Sequence, residues 1–98
     1  MTATRVNPDY AIMNTTYTFS NITINSHANY YLDLGRLDAV PGYVPIGLQL
    51  NISGLTNFNF VVAGALQNNG THMWCRVYNS QSAAVTGSCQ ATVYWAKA

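Results

Sequence analysis

Between Gly42 and Ile52 the chain reads GYVPIGLQLNI, in which Val44, Ile46, Leu48, Leu50 and Ile52 alternate with Tyr43, Pro45, Gly47, Gln49 and Asn51. Alternation of period two is the pattern of a strand with one face buried. This segment is expected to be the central strand of a core. Three further runs, Asn59 to Gln67, His72 to Tyr78 and Val85 to Trp95, share its strand character and are separated by turn-forming residues. No stretch has a sustained period of 3.6 residues with caps, so helix is expected to be minor.

The fold class that follows is all-β: an antiparallel, jelly-roll-like sandwich of seven to eight strands. With 98 residues the chain has room for one such core and not two. Residues 1–8 are polar and aperiodic and read as a flexible tail or stub, leaving 9–98 as the domain. Tyr10–Met13 is a candidate edge strand. In Thr16–Ile24 the apolar residues change parity, from Tyr17 and Phe19 to Ile22 and Ile24, as a β-bulge at Ser20–Asn21 would require. Residues 25–29 form a turn by composition, and Tyr30, Leu32 and Leu34 then mark the inner face of the next strand. Phe58–Gln67 is apolar on both faces, which predicts a second layer or a subunit against it. Asn68-Asn69-Gly70 is a hairpin signal, and the last two runs are expected to pair as a hairpin around Asn79–Ala84.

Only 7% of residues are charged, against 49% hydrophobic, so a partner or a second copy is expected to cover part of the surface. The formal charge is +1 and the charges are scattered, which leaves no electrostatic footprint for nucleic acid. The longest apolar run, Phe60 to Leu66, is too short to span a bilayer as a helix, and MTATRVNPDY has no signal-peptide core. Neither export nor membrane insertion is expected.

Sites for chemistry are sparse. Asp33 and Asp38 flank Arg36, which reads as their surface ion partner rather than part of an acid–base pair. No nucleophile elbow, phosphate loop or zinc spacing occurs, so no enzyme activity, metal or cofactor is expected. Cys75 and Cys89 share the inner parity of their runs and would stand opposite each other in a terminal hairpin. They form either a cross-strand disulfide or two buried thiols packed as small apolar groups. Trp74, Arg76 and Tyr78 take the outer parity, with Tyr94 on the outer face of the next run. Aromatic rings beside amides suit saccharides, and the same residues would serve equally as a subunit interface. His27, Tyr30 and Tyr31 form a second ligand candidate near a turn.

The segments PGYVPIGLQLNISG and RVYNSQSAAVTGSCQATVYWAKA, through Gly42, Tyr43, Pro45, Ile46 and Gly47, then Val77, Asn79, Ser80, Ser82 and Ala84, then Val93, Tyr94, Trp95 and Lys97, resemble a known family. It is that of the C-terminal β-sandwich tip domains of tail-fibre and baseplate proteins in phages and prophages of Gram-positive hosts. The resemblance implies a homotrimer at a virion tail tip, assembled in the bacterial cytoplasm, contacting a host-surface saccharide or protein and other tail proteins. The chain departs from the pattern in its two cysteines and in carrying no coiled-coil or β-helical stem. Two rival readings are a decoration or connector domain touching only virion proteins, and a carbohydrate-binding module of a bacterial enzyme.

Overall fold

The structure, a computed structural model, describes residues 2–5 and 11–98. Its strands are β1 (Thr2–Arg5), β2 (Ile12–Ile24), β3 (Asn29–Arg36), β4 (Tyr43–Asn51), β5 (Val61–Ala63), β6 (Gln67–Asn68), β7 (His72–Asn79) and β8 (Val85–Lys97). They form two antiparallel sheets. The first has the order β1-β2-β8-β4, and the second β3-β7-β5, with β6 also paired to β7. Both β5 and β6 lie on the same side of β7, through Val62 opposite Tyr78 and Gln67 opposite Trp74, so they are two pieces of one interrupted strand.

Alternation drives the packing. Met13, Tyr17, Ile22 and Ile24 from β2, Leu32 and Leu34 from β3, Met73, Cys75 and Val77 from β7, and Val85, Cys89, Ala91, Val93 and Trp95 from β8 fill one core between the sheets. Each large apolar side chain buried there contributes about 1.5–3 kcal/mol. The Trp95 indole N–H donates to Thr15 Oγ1 at 3.2 Å, which satisfies the one polar group of the ring.

The β2–β3, β3–β4, β4–β5 and β7–β8 connections each pass from one sheet to the other. The β2/β8 ribbon thereby folds over and continues as the β3/β7 ribbon, the wrap of a jelly roll. The fold-over is pinned by Asn79. Its buried side-chain amide donates to the carbonyls of Ile24, Asn25 and Ala83, and its Oδ1 accepts from the Gln81 N–H. Both crossovers are thus held by one residue.

Several local expectations are met. The register of β2 against β8 shifts between Phe19 and Ile22, and Asn21 has φ +55°, the bulge that the parity change demanded. Asn68-Asn69-Gly70 turns β6 into β7, with Gly70 at φ +95° and Asn69 Oδ1 accepting from the N–H groups of Thr71 and His72.

Three expectations are corrected. The Gly42–Ile52 segment is not central: β4 is the edge of its sheet and β8 holds the centre. Its register slips between Pro45 and Gly47, so Val44 and Ile46 are 48% and 56% exposed while Tyr43 is buried and Leu48 and Leu50 pack inward. Pro45 is the physical reason, because a residue without an N–H is confined to edges and bulges. Phe58–Gln67 is not one strand either: Phe58–Phe60 is a 3-10 turn, and Gly64–Leu66 interrupts the pairing. Finally, β7 and β8 are not a hairpin but the middle strands of opposite sheets. Of the expected tail, Thr2–Arg5 pairs along β2, and Met1 and residues 6–10, including Tyr10 of the expected edge strand, lie outside the described residues.

Candidate functional site

Because β3, β7 and β5/β6 run side by side, the outward residues of the second sheet form rows. Asn29, Tyr78 and Val62 make the first, Tyr31 and Arg76 the second, and Asp33, Trp74 and Gln67 the third. Tyr31 stands 59% exposed and meets Trp74 edge to face, with ring centroids 5.5 Å apart. Two hollows open on this face. One, of about 180 Å³, is lined by Gly64, Ala65, Gln67, Trp74 and Arg76; the other, of about 220 Å³, by Asn29, Val62, Ala63, Gly64, Arg76 and Tyr78.

The interruption between β5 and β6 makes these hollows. Gly64 still donates its N–H to the Arg76 carbonyl at 2.7 Å, but a Cβ there would press on that same carbonyl. The absence of a side chain at Gly64 leaves Arg76 open on both sides.

The polar groups of this face are uncommitted. The side chains of Asn29, Tyr31, Gln67, Trp74, Arg76 and Tyr78 form no hydrogen bond or ion pair with any described residue. Asp33, the one carboxylate on the face among the described residues, turns back to accept from the Gly35 N–H at 2.9 Å.

The outer face of the first sheet is the opposite case. Thr16 bonds Thr92 at 3.1 Å, Gln90 donates to Thr18, and Tyr94 donates its hydroxyl to Gln49 Oε1 at 2.8 Å. These side chains satisfy one another across β2, β8 and β4. A hollow of about 240 Å³ lies at the end of this sheet between Thr18, Asn51, Ser53, Gly54, Ser88, Cys89 and Gln90. No aromatic ring lines it.

The predicted site residues therefore divide. Trp74, Arg76 and Tyr78 share one face as their parity implied. Tyr94 does not join them, since β8 belongs to the other sheet and its ring points away on the far side of the sandwich. Of the second candidate cluster, Tyr31 belongs to the Trp74 face, Tyr30 turns inward against the core, and His27 sits exposed in the β2–β3 crossover at φ +50°. Asn29, Asp33, Gly64 and Gln67 were missed by sequence reasoning. The parity of β3, which puts Asn29, Tyr31 and Asp33 together, and a glycine within an apolar run were the available signals.

Cys75 and Cys89 are free, buried thiols inside the sandwich, projecting from strands of opposite sheets rather than from paired ones. Burial, with the nearby Cys89 adding to it, pushes Cys75 up to about 11, and burial also raises Cys89. Both are thus protonated at neutral pH and poor nucleophiles. Arg36 pairs with Asp38 at 2.9 Å on the surface, holding that carboxyl below its usual range. Among the described residues no group of three His, Cys, Asp or Glu side chains is placed to hold a metal, and no helix is long and apolar enough to cross a membrane.

Comparison with known protein families, with curated proteins and with solved structures finds no match.

Proposed function

We propose that this protein is a non-catalytic adhesion module that binds saccharide on the outer face of its β3-β7-β5/β6 sheet, working as a trimeric tip domain of a phage or prophage tail structure. The observation that carries the binding reading is the contrast between the two outer faces. One is closed by its own hydrogen bonds; the other offers Trp74, Tyr78 and Tyr31 rings beside unbonded amide and guanidinium donors and two hollows. A ring covers the apolar side of a pyranose while polar neighbours bond its hydroxyls. Individually weak sites of this sort gain from repetition in an assembly. The placement at a tail tip rests on the two sequence motifs alone.

A glycan-binding screen with Trp74→Ala and Tyr94→Ala tests the face. Trp74→Ala is expected to weaken binding about tenfold or more, and Tyr94→Ala to leave it unchanged. Equal effects of both substitutions, or none, would count against this face. Light scattering at two widely separated concentrations tests the trimer, for which a concentration-independent monomer mass is the contrary result.

A second reading, a virion domain that contacts only other virion proteins, is favoured by one feature. Val62 is exposed beside Tyr78 on this face, and Phe58 and Phe60 are exposed in the turn that leads into β5, apolar groups suited to protein contact. Loss of assembly rather than of saccharide binding in Val62→Ser would support it.

A further inference from the structure

Arg76 occupies the midpoint of the candidate face, two residues from Trp74 and two from Tyr78 along one strand, and it lines both hollows. At about 3.3 Å per residue the two rings are roughly 13 Å apart along β7, with the guanidinium halfway. That span exceeds a single sugar ring. Each hollow has one aromatic wall of its own, Trp74 in one and Tyr78 in the other, and the two share Arg76 and Gly64.

Among the described residues Arg76 makes no ion pair. Asp33, the acidic residue on the face, is engaged with the Gly35 backbone, and Asp38 is taken by Arg36. An exposed guanidinium with its five donors free, held between two rings and open on both flanks, matches a planar or tetrahedral anion better than a neutral hydroxyl.

We propose that the face selects an anionic oligosaccharide lying along β7, with neutral rings over Trp74 and Tyr78 and a carboxylate or phosphate group of the chain on Arg76. This inference rests on the saccharide reading above and adds to it the class of sugar. Carboxylate and phosphate present the same acceptor chemistry to the fork of Arg76, so both are probed.

The experiment is titration calorimetry of the intact protein with three tetramers of equal length: a neutral hexose oligomer, an oligogalacturonate, and a phosphodiester-linked hexose oligomer. Binding of one or both acidic tetramers well above the neutral one is expected, weakening with added salt. Arg76→Gln should lower acidic binding roughly ten- to hundredfold and abolish the preference, and Arg76→Lys should fall between. Which acidic tetramer binds identifies the anion. Thermal melting checks that both variants fold, as substitution at an exposed position should allow. Neutral and acidic tetramers binding equally, sensitive to Trp74→Ala and indifferent to Arg76→Gln, would overturn the charge selection and leave the saccharide face standing. Absence of any Trp74-dependent binding across all three would overturn both.

Discussion

Asn79 is fully buried where the two crossovers meet, and three carbonyls depend on its amide. Asn79→Ala removes that donor from all three, of which the Asn25 carbonyl keeps the Ala28 N–H, so a loss of about 2–3 kcal/mol is expected by urea unfolding. Asn79→Asp should be worse, because a carboxylate would then face three carbonyl oxygens. Thr15→Val tests the same principle in the core. It keeps the volume but removes the acceptor for the Trp95 indole, and a loss of about 1–3 kcal/mol is expected. Neither role is legible in the sequence. Asn79 there continues the outward and inward alternation of an ordinary strand, at an inward position where an amide looks out of place, and only the meeting of two distant crossovers gives that amide its partners.

At the level of the element, bulges and breaks matter more than the regular ladder. The β2 bulge is opposed by Gly87, which has φ +135° and whose missing Cβ makes room for the Gly54 carbonyl as the 53–57 turn closes against β8. Gly70 also has a positive φ, +95°, but open space around it. Gly70→Ala should therefore cost about 1–2 kcal/mol, the strain of the left-handed region alone. Gly87→Ala should cost clearly more by the same denaturant measurement, since strain and a backbone clash add; equal costs would show that β8 yields there. The β2 bulge was legible because parity is a local signal. The edge position of β4 was also written in the chain, at Pro45, yet five alternating apolar residues outweighed one proline. The break at Gly64 was harder, because a glycine in an apolar run looks the same whether the strand continues past it or stops.

For the molecule as a whole, the two buried thiols make the state of folding measurable. A thiol reagent is expected to leave Cys75 and Cys89 unmodified in the native protein and to label both in denaturant; rapid native labelling would show that the sandwich opens. Their titration also sets a pH limit. Cys75 is raised in the folded protein from 9.0 to about 11, so above pH 9 the unfolded chain loses a proton that the folded one keeps. Stability should hold from neutrality to about pH 9 and decline from there toward 11. Tyr17, raised by burial and by Asp33, adds to the decline beyond 10. Melting temperature against pH checks this, and Cys75→Ala should flatten the first part of the fall. Local pattern was enough to set which residues point inward on β2, β3, β7 and β8, where the chain turns, and that β-structure would dominate, since period-two alternation and the steric preferences of Asn and Gly act over a few residues. Only the tertiary structure decided that β4 lies at an edge, that β7 and β8 face each other from opposite sheets, and that Trp74 and Tyr94, alike in outward parity, look away from one another. Alternation records inside and outside relative to a strand's own backbone, whereas the choice of neighbour depends on contacts between segments far apart in the chain, which no local pattern specifies.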